Sequence, residues 1–183
     1  MKDKRRSKGK SIRPTFFVFC EGQTEEAYVK YLRSKYRLPI DIDPNVAGLG
    51  ITNDHIARYK KDKITDCKDK NYLMYDLDRA DILERLETIK DATILSSNPC
   101  IEIWFLLHCL DQRTAINSAD CCKALVKHIP KYKKGSICNE LQSKLVTAGL
   151  DARDRASKLQ KRGNPSTEIP QLINDLEAEA ARK

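Results

Sequence analysis

Three acidic side chains stand where a short apolar run gives way to a turn. Glu21 follows Thr15–Cys20 (TFFVFC) and precedes Gly22, while Asp76 and Asp78 follow Asn71–Tyr75 (NYLMY) with Leu77 between them. A carboxylate at the end of a buried strand is costly to desolvate without a partner. In extended backbone, positions i and i+2 share a face, so the Asp76 and Asp78 carboxylates are expected to meet one ion while Leu77 turns into the core. Clustered carboxylates either take up protons or hold a cation. Mg²⁺ suits such a set, because it takes hard oxygen ligands and keeps waters for a phosphate substrate. Asp-Leu-Asp alone is a frequent pattern and reads better as a turn plus a cap for a helix beginning near Ala80. The pattern strand, acid, helix, seen twice, is more specific. Glu25 and Glu26 fall in a first helical turn, where the helix dipole favours negative charge.

Further along, Ser97-Asn98-Pro99 ends a third apolar run, Thr93–Ser96. Asn98 is expected to cap the next helix, with Pro99 at its first position. Glu102 then lies in the first turn of a very apolar helix from Ile101 to about Leu110. A charge there needs a partner: a metal, Arg79 or Arg85. His108 shares a face with Trp104 and reads as a core histidine. Arg79 is placed to clamp a phosphate oxygen. Lys131, Lys133 and Lys134 surround Tyr132, a cluster suited to nucleic-acid backbone with Tyr132 stacking on a base, or else an exposed loop. The seven cysteines are odd in number and include no C-x-x-C pair, which reads as reduced thiols packed in a core. A zinc site drawn from Cys100, His108, Cys109 or Cys121 lacks the spacing of a zinc ribbon.

These residues need elements to position them. The apolar runs at 15–20, 71–75 and 93–96 read as strands, with a weaker one at Ile40–Asp43. Helical spacing predicts a helix from about Glu25 to Tyr36 capped by Thr24, one starting at Thr52, and one carrying Ile82, Leu83, Leu86 and Ile89. Gly48 and Gly50 mark a loop. The remainder reads as mainly helical: 119–129, then 137 to about 159 with an interruption near Gly149, a turn at 162–165, and 167–181. Strands alternating with helices imply an α/β fold with a small, mostly parallel sheet, flanked by helices and followed by a helical C-terminal half. Such sheets carry functional groups beyond the carboxyl ends of their strands, where Glu21, Asp76 and Asp78 all fall.

The chain has 183 residues and a net charge of +8, with a mean hydropathy of −0.58. That suits one domain, 14–183, preceded by a basic arm, 1–13. The arm holds seven basic residues against Asp3 alone, so the body is nearly neutral. A basic arm attracts polyanions, chiefly nucleic acid, with steep salt dependence. No run reaches the roughly 18 apolar residues that span a bilayer, and the charged N-terminus lacks the apolar stretch of a secretory signal. A cytoplasmic, membrane-free protein is expected. There is no G-x-x-x-x-G-K-[ST], so the chain is not itself a P-loop ATPase.

Phe16–Glu26 (FFVFCEGQTEE) and Tyr72–Arg79 (YLMYDLDR) resemble the two signatures of Toprim domains. Glu21 matches the Toprim glutamate, Asp76 and Asp78 the metal-binding pair, and Glu25 an extra acidic position of nuclease-type members. Ser97–His108 (SNPCIEIWFLLH), Lys131–Lys134 (KYKK) and Asn164–Thr167 (NPST) resemble motifs of RloB-like proteins, so the likeness covers about residues 14 to 176. It implies a Toprim-like fold and a role in abortive-infection-like defence against phage. The function that follows is a Mg²⁺- or Mn²⁺-dependent phosphodiesterase acting on RNA or DNA. Asp76, Asp78 and Glu25 would hold the metal, Glu21 would act as general acid/base, and Arg79, Lys131, Lys133 and Lys134 would bind substrate. Glu102 and Asn98 would support them. The rival is a non-catalytic sensor or regulatory subunit docking on a defence ATPase or restriction-modification components.

Overall fold

A computed structural model describes residues 13–43 and 50–182 of the chain. Most of the basic arm and the loop glycine Gly48 lie outside the described residues. Five strands form one sheet: β1 (Phe16–Cys20), β2 (Ile40–Ile42), β3 (Lys70–Asp76), β4 (Ala92–Asn98) and β5 (Ser166–Thr167). Their order is β2-β1-β3-β4-β5. The first four are parallel, and β5 runs antiparallel to β4. The fold is therefore mixed α/β with a mostly parallel sheet, as the alternation of runs implies.

The sheet is covered on both faces, and the alternation of side chains divides its core in two. Phe16, Val18, Cys20, Tyr72, Met74 and Leu95 point to one face, where they pack with α1 (Gln23–Tyr36), α4 (Glu102–Leu107) and the helices that follow. Phe17, Phe19, Leu73 and Tyr75 point to the other, against α2 (Asn53–Lys60) and α3 (Ala80–Glu87). Burial on both faces is why β1 is apolar without a break. Thr52 caps α2 by accepting from the His55 N–H at 3.1 Å.

The C-terminal half adds α5 (Ser118–His128), α6 (Asn139–Thr147), α7 (Gly149–Ser157) and α8 (Ile169–Ala180). The expected break near Gly149 separates α6 from α7. Every residue of α4 is buried. A helix apolar all round belongs inside a domain, and α4 is the element on which this half packs. Three expectations need correction. α1 starts at Gln23 with Gly22 as its N-cap, so Thr24 lies inside the helix. Asn98 does not cap α4, whose N-cap is Ile101; its amide instead donates to the Arg162 carbonyl at 3.4 Å. The helix expected from residue 167 starts at Ile169, because Ser166 and Thr167 pair with β4. No helix among the described residues is long and apolar enough to cross a membrane.

Candidate functional site

β1, β3 and β4 are parallel, so the segments that leave them emerge at one edge of the sheet. Glu21 follows β1, Asp76 ends β3, and Glu102 lies four residues beyond β4. Asp76 continues the series Tyr72, Met74 and so projects to the face occupied by α1 and α4. Glu25, in the first turn of α1, faces the same space. Glu21, Glu25, Asp76 and Glu102 line one open cleft of about 310 Å³ with Lys134.

Backbone amides hold the carboxylates in place. The Asp76 N–H donates to Glu21 Oε2 at 2.8 Å, and the Glu21 N–H donates to the Met74 carbonyl at 3.0 Å. These bonds tie the end of β1 to the end of β3. The Ile101 amide stands near the Asp76 carboxylate and the Gly22 and Glu25 amides near the Glu25 carboxylate, and each favours the charged form of its neighbour. Glu102 is 1% exposed. The Tyr132 hydroxyl donates to its Oε1 at 2.8 Å, and Lys134 Nζ lies 3.9 Å from the same atom. The loop carrying Tyr132 and Lys134 is anchored on α1 by the Gly135 N–H, which donates to Thr24 Oγ1 at 3.0 Å. Gly135 has a φ of +76° there, a conformation that favours glycine.

The electrostatics follow from four acids in a partly dry space. Asp76 is pushed up to about 9, first by burial and then by Glu25, Glu21 and Glu102. Glu25 is pushed up to about 7 by burial, with Glu102 and Glu21 adding to it and the two backbone donors opposing. Glu21 is raised by burial and Asp78, against the Asp76 amide and Arg79. Lys134 is raised, chiefly by the charge of Glu102. Without a cation the cleft retains protons near neutral pH.

The remaining sequence candidates fall outside this cluster. β3 ends at Asp76 and the chain bends at Asp78, so the strand alternation that would have placed both aspartates together does not extend that far. Asp78 is exposed and does not line the cleft; its charge reaches Glu21. Arg79 is exposed and donates to the Asp81 carboxylate at 3.1 and 2.9 Å. Glu102 is partnered by Tyr132 and Lys134 rather than by Arg79 or Arg85. Tyr132 is buried, 6% exposed, so it positions Glu102 and cannot stack on a base. Lys131 and Lys133 are exposed on the same loop. His108 is buried against Trp104, donates from Nδ1 to the Trp104 carbonyl at 2.9 Å, and is held neutral by burial, which lowers it to about 4.

Gly22 has a use that its backbone does not reveal. Its φ of −139° and ψ of 179° suit any residue. A Cβ there would, however, sit 2.9 Å from Glu25 Oε2. Gly22→Ala is expected to fold with a melting temperature close to that of the parent, because the flexible end of Glu25 can move aside. It should weaken Mn²⁺ binding, read by calorimetry, by displacing that carboxylate. Unchanged affinity would remove Glu25 from the ligand set.

No curated protein and no solved structure matches the chain. The family model described as RloB-like protein matches residues 16–176. That span runs from the first residue of β1 into α8 and includes all four cleft carboxylates. The chain belongs to the RloB-like family.

Proposed function

We propose that this protein is a divalent-metal-dependent phosphodiesterase of Toprim type, a cytoplasmic nuclease that cleaves RNA or DNA in defence against phage. The observation that carries this reading is the convergence of Glu21, Glu25, Asp76 and Glu102 on one cleft at the carboxyl edge of a parallel sheet. Among the described residues lining it, Lys134 is the sole cation. The donor set is all hard oxygen, which fits Mg²⁺ or Mn²⁺. Protons held by Asp76 and Glu25 are what a cation would displace.

Asp76 and Glu25, with Glu102 beside them, would hold the metal. When bound, it would polarise the phosphodiester and stabilise the charge that develops during attack. Glu21, only partly buried and raised in pKa, is suited to take a proton from the attacking water. Exposed Asp78 helps by raising Glu21. Lys134 can shift from Glu102 toward a phosphate oxygen, and Lys131, Lys133 and Arg79 are available to the flanking backbone. Tyr132 holds Glu102 in position.

The test is cleavage of single-stranded, double-stranded and transfer RNA and of DNA, with Mn²⁺ or with a chelator. Glu21→Gln is expected to slow cleavage by about 10²–10⁴-fold, the usual contribution of a general base. Its Mn²⁺ affinity should stay near that of the parent. A parallel collapse of affinity would make Glu21 a ligand instead. If no nucleic acid is cut and the cleft takes no cation, the regulatory-subunit reading stands in its place.

A further inference from the structure

Behind the acidic cleft, Glu102 meets sulfur. Cys100 precedes α4 and Cys122 lies in α5; their Sγ atoms and a Glu102 carboxylate oxygen all lie within 4.8 Å of one another. We propose that Cys100, Glu102 and Cys122 form a second metal site, specific for a thiophilic cation such as Zn²⁺, that adjoins the oxygen-lined cleft through Glu102.

Four observations support it. The three donors suit Zn²⁺, which takes thiolate sulfur at about 2.3 Å and carboxylate oxygen at about 2.0–2.2 Å, so their mutual separations need little adjustment. Cys100 and Glu102 are 2% and 1% exposed, while Cys122 is only partly buried and gives a path of entry. The charge balances: two thiolates and a carboxylate exceed a dication by one negative charge, and Lys134 stands 3.9 Å from Glu102 Oε1 to offset it. The thiols are also mutual neighbours, with the Cys100 and Cys122 Sγ atoms within 4.8 Å of each other. An ordinary cysteine thiol is protonated at neutral pH. Binding would therefore release one proton from each thiol as two metal–sulfur bonds form, with no change of oxidation state.

A cation there would brace the start of α4 against α5 and fix Glu102, which the acidic cleft shares. The site stands whether or not the cleft is a nuclease centre. Neither His108 nor Cys109, which follow α4 and could ligate, joins the cluster.

The experiment is a titration of the full chain with Co²⁺, under a phosphine reductant and excess Mg²⁺ to occupy the oxygen cleft. The proposal expects a thiolate-to-cobalt charge-transfer band that saturates at one equivalent and is bleached by Zn²⁺. Cys122→Ser, at a partly exposed position that should tolerate it, is expected to lose about half of the band through loss of one of two thiolates. Cys109→Ser should retain it. Glu102→Gln should keep the charge transfer while weakening Co²⁺ binding. Absence of the band in the parent, or its survival in Cys100→Ser/Cys122→Ser, would overturn the assignment.

Discussion

Asp76→Asn is expected to lower Mn²⁺ affinity more than about 100-fold, since even changes behind a metal ligand cost 10–100-fold. Metal-dependent cleavage should fall with it. Asp76 is the carboxylate that all three other acids press upon, opposed by the Ile101 amide at the mouth of α4. An amide of the same shape keeps the packing but cannot supply the charge. Near pH 4 and below, the metal-free variant should be nearly as stable as the parent, because there Asp76 carries a proton in the folded and the unfolded chain alike, and the substitution imitates it. As pH rises from there toward 9 the variant should become the more stable of the two, because the unfolded parent gives up the Asp76 proton that the folded parent keeps among Glu21, Glu25 and Glu102. Calorimetric Mn²⁺ binding at pH 7 and denaturant unfolding near pH 4 and near pH 9 read both effects. An asparagine variant that binds Mn²⁺ like the parent would place the metal elsewhere.

The second large effect is a reversal of pH dependence by metal. An unfolded chain gives up the Asp76 proton near pH 4, about the ordinary value for aspartate, whereas the folded chain holds it to about 9. Between those limits the folded state binds more protons, so stability of the metal-free protein falls as pH rises. The slope is at most about 1.4 kcal/mol per pH unit for each such proton. Glu25 adds its own share as pH rises toward about 7. Metal affinity should move oppositely, rising about tenfold per pH unit from pH 7 to 9, where one proton is displaced. With saturating Mn²⁺ the unfolding free energy should hold or rise over the range where the apo protein loses it. Parallel pH profiles with and without Mn²⁺ would mean that these acids do not receive the ion.

Most of the sheet was legible because its central strands are buried on both faces, and double burial writes an unbroken apolar run such as Phe16–Cys20. β5 was not, since Ser166 and Thr167 are two polar residues whose pairing with Ser97 and Asn98 is settled by tertiary packing. Within the cleft, Glu21, Glu25 and Asp76 announced themselves by ending strands or opening a helix. Asp78 misled because same-face spacing holds only while the strand lasts, and β3 stops at Asp76. Glu102 was visible as a lone acid in an apolar helix, but its partner Tyr132 lies 30 residues away and only the fold brings them together. For the same reason the spacing of the cysteines gave no hint of the Cys100–Cys122 pair: one precedes α4, the other lies in α5, and the packing of these helices joins them.

A crystal soaked in Mn²⁺ and measured for anomalous scattering addresses the central claim most directly. One strong peak is expected within ligand distance of Asp76 and Glu25, on the side facing Glu102, with the Glu21 carboxylate free to meet a water. A cleft without a peak at millimolar Mn²⁺, or a peak held by exposed Asp78 and remote from Asp76, would contradict it.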